Sequence, residues 1–480
     1  MDINYGEIGF KSGLEIHQQL DTHKLFCKCP SLLRKDEPDV IIKRKLHSVA
    51  GESGEVDEAV AYQASLGKEF VYQGYDTTCL VELDEEPPHE INKEALKIAL
   101  HISFLLNAEI LSISQIMRKT VIDGSNTSGF QRTIMIARDG WIETSQGRVG
   151  IEGIFLEEDS ARTVSKDKNS SVYRLDRLGI PLIEVATRPD IKNAQQVKEA
   201  ALKIGEIFRS CKVKRGLGTI RQDLNMSVKN GARTELKGVQ DPDVFVIAVE
   251  REVVRQINLI NEKKKVEASV RNVLGNGESE FLRPMPGSSR MYPETDLPLL
   301  KISKDFINEA KKTLPRLREE IEKELRKEGL EEQYISLLFK QGKVPLYREL
   351  YYLLPKPNFI AKIILLYPKE VTAKQKKTLE DVENILEDYY IDVLNLVVKG
   401  KVKEENVKDV LEKIISGQNL QEAIKYEKVD ENEIEERVMK IIKEKPGLNE
   451  NAYMGLVMKE FKGKISGKEA SEIIKKVVKS

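Results

Sequence analysis

The segment GLEIHQQLD sets a carboxylate, an imidazole and a carboxamide at alternate positions, Glu15, His17 and Gln19. Successive strand side chains point to opposite faces, so these three share one side of a strand while Leu14 and Ile16 take the other. A separation of two strand residues is about 7 Å, near enough for Glu15 and His17 to serve one metal ion or one bound phosphate, directly or through water. The same alternation recurs in TIRQDLNMSV, which puts Thr219, Arg221, Asp223, Asn225 and Ser227 together, and in RTELKGVQ, which groups Arg233, Glu235 and Lys237. An ordinary wet sheet face shows the same pattern, and alternation alone does not separate the two.

Two more segments place acids where packing does not ask for them. In GIPLIEVAT, Glu184 interrupts an apolar run, and a lone buried carboxylate is costly unless a cation or donors receive it. In IEGIFLEEDSAR, Glu157, Glu158 and Asp159 follow Ile154, Phe155 and Leu156, so at least one acid leaves a strand edge toward the same region. With His17 these acids make a hard-oxygen site suited to Mg²⁺, and zinc is disfavoured because the ligands are mainly oxygen. The polar loop Gly124 to Gly129, flanked by Arg118, Lys119 and Arg132, offers backbone N–H groups and cations to phosphate. It lacks the Gly-Lys-Ser/Thr ending of a P-loop, and no Gly-x-Gly-x-x-Gly opens a helix after a strand, so ATP would bind by another route.

These residues need elements to hold them. The pattern predicts an α+β fold: a cradle domain over residues 1–302 built on an antiparallel sheet with covering helices, then all-α helical and tail domains over 303–415 and 416–480. A densely apolar run marks a helix over Ala95 to Leu106, and helical spacing marks another at Val197, Ala201, Ile204 and Phe208 behind Asn193 to Gln196. Breaks at Ser416-Gly417 and Pro446-Gly447 divide the helical part. A chain of 480 residues favours several domains, and no stretch reaches the roughly 18 uncharged apolar residues that cross a bilayer, so a cytoplasmic protein with no membrane partner is expected. With net charge −1 there is no global attraction for nucleic acid, and any grip on RNA must be local. The Lys-rich end, with Lys459, Lys462, Lys464 and Lys468, is a candidate for phosphate contacts, although a solvated helical face carries the same charges. Cys27, Cys29, Cys79 and Cys211 are too scattered for a disulfide framework and read as reduced thiols.

Taken in order, GLEIHQQLDTHKLFCKCP, TCLVELDEEPPHEIN, MRKTVIDGSNTSGFQRT, FLEEDSAR, YRLDRLGIPLIEVATRPDI, KRGLGTIRQDLNMSV and RMYPETDLP resemble the E subunits of archaeal glutamyl-tRNA(Gln) amidotransferases. NAYMGLVMKEFKGK resembles the tail domain shared with the bacterial B subunit, a tRNA-binding module. The resemblance implies ATP-dependent conversion of Glu-tRNA(Gln) to Gln-tRNA(Gln) through a γ-phosphoryl-Glu intermediate. It also implies ammonia from an asparaginase-like D subunit, in a heterotetramer of two D and two E chains. The alternatives are a B-type subunit, partnered with an amidase, or a non-catalytic tRNA-binding scaffold.

Residue by residue, the resemblance puts His17, Glu158, Glu15 and Glu184 at the Mg²⁺ and the chemistry, with Glu157 and Asp159 behind them. It puts Lys119 at the nucleotide, and Arg221, Asp223, Glu235, Lys237, Arg290 and Tyr292 around the same cradle. Two departures stand out. The usual inserted domain resembling part of aspartyl-tRNA synthetase finds no room between VEASVRN and FLRPMPG. Some B-type relatives hold zinc with such cysteines plus a later Cys-x-x-Cys, and this chain has no such second pair, which leaves zinc at Cys27 and Cys29 open.

Overall fold

The computed structural model describes residues 3–45, 67–121, 123–216, 218–239, 241–285, 291–374, 377–425, 431–447, 449–460 and 467–479. They fall into two compact units, residues 1–318 and 319–480. Strands of the first unit are β1 (Lys11–Gln19), β2 (Val40–Lys45), β3 (Glu69–Gly74), β4 (Glu109–Ile110), β5 (Ile113–Ser114) and β6 (Met117–Thr120). Then come β7 (Phe130–Thr144), β8 (Gly147–Glu158), β9 (Arg162–Lys166), β10 (Ser170–Arg174), β11 (Pro181–Thr187) and β12 (Ile220–Ser227). The last are β13 (Thr234–Lys237), β14 (Ser269–Val273), β15 (Ser279–Pro284), β16 (Met291–Pro293) and β17 (Leu300–Lys301).

The main sheet runs β15-β14-β13-β12-β1-β11-β8-β7-β6-β16, with β4 beside β7. Its pairs are antiparallel except β13 with β14. One face is apolar because every second residue is: Leu14 and Ile16 on β1, Ile183 and Val185 on β11, and Leu224 and Met226 on β12 are all buried. That face packs under three helices, α1 (Lys93–Leu105), α2 (Ala194–Ser210) and α3 (Pro242–Asn261). Each starts on a side-chain cap that satisfies free first-turn N–H groups: Asn92, Asn193 and Asp241. The α2 stripe of Val197, Ala201, Ile204 and Phe208 is buried as its spacing predicts. Helix α3 was not foreseen, although Asp241-Pro242 at its start is the cap followed by a first-turn proline that signals one.

A second, four-stranded sheet, β2-β3-β10-β9, has its own small core of Phe70, Tyr72, Tyr173, Leu175 and Leu178. It holds the polar loop: the Tyr72 hydroxyl donates to Gly124 O at 2.8 Å, and the Tyr173 hydroxyl to Asp123 O at 2.5 Å. Between VEASVRN and FLRPMPG, where no room for an inserted domain was read, β14 and β15 are joined by the short turn Leu274 to Glu278. Helix α4 (Lys304–Lys312), the first of the helical stretch, stays with the first unit: His101 of α1 meets Ala310 O at 3.0 Å, and Lys97 meets Glu309 at 2.8 Å.

The second unit is helical, from Arg318–Lys327 to Gly467–Lys479. It has two separate cores, one over Leu325 to Ala423 and one over Ile434 to Ile474. Gly417 and Gly447, both in the left-handed region, follow the helices that end at Ile415 and Glu444. No helix of the described residues is long and apolar enough to cross a membrane.

Gly124 has φ +78°, and a Cβ there would overlap the Phe70 ring. Gly124→Ala is expected to lower stability by about 1 to 3 kcal/mol through overpacking and a left-handed alanine, measured by chemical denaturation. An unchanged midpoint would show that Phe70 yields freely.

Candidate functional site

The wet face of the main sheet is assembled by register. Strand β1 lies between β11 and β12, with His17 opposite Glu184 on one side and Arg221 on the other, and Glu15 opposite Asp223. Residues directly opposite share a face, so one strand's pattern is imposed on its neighbours. Farther along, Glu157 of β8 lies opposite Thr133 of β7, and Lys119 of β6 opposite Gln131. A pocket of about 420 Å³ opens on this face, and His17, Lys119, Gln131, Glu157, Asp159, Arg221, Asp223 and Lys237 are among its lining residues.

On the pocket floor, one donor atom each from His17, Glu157 and Glu184 lies within 4.8 Å of the others. His17 Nε2 is 3.0 Å from Glu184 Oε2. Lys119 Nζ stands 3.7 Å from Glu157 Oε1 and 3.9 Å from Glu184 Oε2, and Gln131 Nε2 donates to Glu157 Oε2 at 3.2 Å. Burial opposes a charged His17, but the hydrogen bond and charge of Glu184, with Glu157 and Asp223, outweigh it and raise the imidazole above its ordinary value. Burial also works against ionised Glu184, yet the His17 contact and Lys119 hold it down at about 2. Glu157 goes the other way: burial and the Glu184 charge push it up against the pull of Lys119 and His17. Lys119 is raised, chiefly by Glu157. With His17 neutral, as a metal ligand must be, the two carboxylates carry one more negative charge than Lys119 neutralises, and a small divalent cation with oxygen and nitrogen ligands fits that set.

The rim is ion-paired. Asp159 accepts from Gln19 Nε2 and from the Arg221 guanidinium, each at 2.7 Å, and lies 3.8 Å from Arg177. Lys237 pairs with Asp223 and, at 2.5 Å, with Glu235. Burial disfavours its charge, but those two acids raise it. Glu15 sits at the margin of the same face, accepting from Asn225 at 2.9 Å with Arg233 at 3.6 Å. Burial, Glu184 and Glu235 push it up against the pull of His17.

The structure therefore brings together His17, Glu184, Lys119, Arg221, Asp223, Glu235 and Lys237, with Glu15 beside them. It does not bring Glu158. Glu158 lies opposite Pro181 and points to the other face of β8, where it accepts from Arg132 N at 3.2 Å and from the Arg132 guanidinium at 3.3 Å. Arg132 also binds Glu294, at 2.8 Å, and Glu294 accepts from Arg118 at 2.5 Å, closing a buried network. Adjacent strand residues cannot share a face, so the reading that put Glu158 at the metal and Glu157 behind it is corrected: Glu157 is the acid at His17. Asp159, also read as standing behind the site, lines the pocket.

Tyr292 too leaves the cradle, lying opposite Arg118 and against the Phe130 ring. The loop Gly124 to Gly129 contributes no pocket-lining residue among those described. Arg290, Lys462 and Lys464 lie outside the described residues, as do the side chains of Lys459 and Lys468. Gln131 was not chosen from sequence as a site residue, and Gln19, placed on the Glu15 and His17 face by alternation, was given no role there.

A profile of the GatB/GatE catalytic domain matches residues 10–308. The chain is similar to the E subunit of the glutamyl-tRNA(Gln) amidotransferase of Methanocaldococcus jannaschii, 36% identical over 635 aligned positions that take in all of both chains. It is 34% identical to the protein of the same name from Archaeoglobus fulgidus, over all of this chain and 99% of the other. With that of Methanosarcina barkeri it shares 32% over 99% of each. A 635-position alignment on a 480-residue chain leaves 155 positions of the alignment with no counterpart here.

Two outcomes follow from the geometry. Glu158→Ala removes one of the two acids on buried Arg132 and leaves Glu294 as the other, and is expected to cost about 1.5 to 3 kcal/mol in chemical denaturation; a loss below about 1 kcal/mol would show the pair to be solvated. In metal-free protein His17 is expected to titrate above about 6.5 by imidazole NMR, and Glu184→Gln to bring it down. A raised histidine stabilises the fold fully below about 6.5 and loses that contribution as pH climbs through its folded value. Glu184, held at about 2, keeps its share above its ordinary value and loses it only as pH falls toward 2. A wild-type His17 titrating at or below 6.5 would refute the pairing.

Proposed function

This chain belongs to the GatB/GatE family, and we propose that it converts Glu esterified to tRNA(Gln) into Gln in two steps at the pocket over β1. In the first, a side-chain carboxylate oxygen of the Glu attacks the γ-phosphorus of ATP, the bond to the β–γ bridging oxygen breaks, and ADP leaves. In the second, ammonia attacks the acyl carbon, the bond to the phosphorylated oxygen breaks, phosphate leaves, and the nitrogen gives up a proton. The observation that carries this reading is the meeting of His17, Glu157 and Glu184 with Lys119 in a pocket whose rim holds Arg221 and Lys237.

Phosphoryl transfer asks little covalent chemistry of a protein and much positioning and charge neutralisation. His17, Glu157 and Glu184 would hold Mg²⁺, which when bound neutralises phosphate oxygens. Lys119, between Glu157 and Glu184, meets the charge of the transferring phosphoryl group. Arg221, held by Asp159, and Lys237, held by Asp223 and Glu235, orient the remaining phosphates and the carboxylate that attacks. The acids on the rim keep these cations in place while the site is empty, and ligand oxygens take over from them. Gln131 fixes the rotamer of Glu157 by its hydrogen bond.

Ammonia comes, in this reading, from an asparaginase-like D subunit, two with two copies of this chain, in the cytoplasm. The tail domain, including the lysines from Lys459 to Lys468, supplies the grip on tRNA.

Incubating the chain with Glu-tRNA(Gln), ATP, Mg²⁺ and ammonium, then recovering the attached amino acid, tests the reading without the partner. Gln is the expected product, and intact Glu after ATP and ammonium are supplied would overturn it. His17→Ala and Glu157→Gln are expected to slow amidation by about 10² to 10³ while leaving denaturation midpoints close to wild type. Full activity in Glu157→Gln would remove that acid from the site.

A further inference from the structure

A second group of donors lies outside the pocket, on loops that follow β1 and β3. Cys27, Cys29, Cys79 and Glu82 each bring one sulfur or carboxylate oxygen to within 4.8 Å of the others. Hydrogen bonds also fix their positions: Cys27 Sγ donates to Glu82 Oε1 at 2.8 Å, Cys29 N to Cys27 Sγ at 3.4 Å, and Cys79 N to Glu82 Oε2 at 2.7 Å. From this convergence we propose that Cys27, Cys29, Cys79 and Glu82 form a structural zinc site of three thiolates and one carboxylate.

Geometry and chemistry agree on the ion. Bonds of about 2.3 Å to the corners of a tetrahedron put donors about 3.8 Å apart, inside the observed spread. Three sulfurs select a borderline-soft ion over Mg²⁺ or Ca²⁺, and four protein ligands make a closed site, which is structural. The spacing is Cys-x-Cys followed by Cys-x-x-Glu, so a search for a second Cys-x-x-Cys passes over it.

Three thiolates and a carboxylate carry four negative charges, two more than zinc neutralises. The compensation is built in: Lys24, wholly buried, lies with Nζ 3.6 Å from Glu82 Oε1 and donates to Leu175 O at 3.2 Å. Gly179, at φ +81°, lets the chain turn beside Glu82 Oε1 and the Lys24 side chain. The Cys79–Glu82 segment is also joined to the polar loop, Thr127 Oγ1 donating to Glu82 O at 2.6 Å. The ion thus staples the turn after β1 to the turn after β3.

The full chain, purified without chelator and passed over a desalting column, is analysed by plasma mass spectrometry. About one zinc per chain is expected, with Cys27, Cys29 and Cys79 masked from a thiol reagent until a chelator is added. Co²⁺ in its place should give the visible bands of tetrahedral thiolate ligation. Cys79→Ser and Glu82→Gln should lower the zinc content, whereas Cys211→Ser and His17→Ala should not. Chelation should lower the melting temperature, and Zn²⁺ but not Mg²⁺ should restore it, which separates this site from the pocket. If Cys79→Ser fails to fold, wild-type stoichiometry and the Co²⁺ spectrum decide. Less than about a tenth of an equivalent after zinc loading, iron in place of zinc, or a disulfide among the three cysteines would overturn the proposal.

Discussion

The register of β1 between β11 and β12 is the constraint on which the rest depends. It sets His17 opposite both Glu184 and Arg221, so one imidazole sees a carboxylate on one side and a guanidinium strand on the other. A slip of one residue would carry the whole polar set into the apolar core and Leu14 and Ile16 into water. Burial of Leu14, Ile16, Leu224 and Val185 under α1 to α3 therefore does more than stabilise the unit: it fixes which side chains face the pocket. Packing specifies chemistry here through the two-residue period of a strand.

That period gives neighbouring acids opposite duties. Glu157 and Glu158 are one residue apart, and both are almost fully buried. Glu157 meets His17 and Glu184, with Lys119 3.7 Å away, at the place where an added cation fits. Glu158 is answered by Arg132, whose other partner Glu294 is held by Arg118. The back of the sheet is thus electrically closed and frames β6, β7, β8 and β16, while the front is left open. Charges held apart by one strand thickness divide the work between stability and binding.

Much of this was legible in sequence. Alternation in GLEIHQQLD and TIRQDLNMSV fixed faces correctly, because a half-buried strand cannot hide its period, while a densely apolar run marked α1 and a 3.6-residue stripe behind a polar start marked α2. What was not legible depended on partners. Which of Glu157 and Glu158 faces the pocket turns on the pairing of β8 with β11, and a run of three acids has no period to reveal it. The polar loop at Gly124 looked like a phosphate cradle by composition, but its hydroxyl groups are spent on neighbours: Ser125 on Asp123, Thr127 on Glu82 and Ser128 on Phe130. The Cys79 and Glu82 pair was invisible beside Cys27 because some fifty residues separate them in the chain, and only the fold closes that distance.

The cysteine cluster and the pocket share one turn, and that sharing bears on how rigid the pocket can be. Leu25 N, next to the buried Lys24, donates to Gly179 O at 2.8 Å; Gly179 N donates to Asp159 O at 2.9 Å; and Asp159 N donates to Ile180 O at 2.8 Å. Asp159 in turn holds Arg221 through its carboxylate. A three-residue relay of backbone bonds thus runs from the turn beside Cys27 to the cation on the pocket rim. Loops carry the least local stability of a fold, and a site built partly on loops needs them ordered before substrate arrives. Fixing the Cys27 turn from one side and the Glu184 strand from the other leaves Asp159 little freedom, and the orientation of Arg221 is settled in advance of the phosphates it is read to meet.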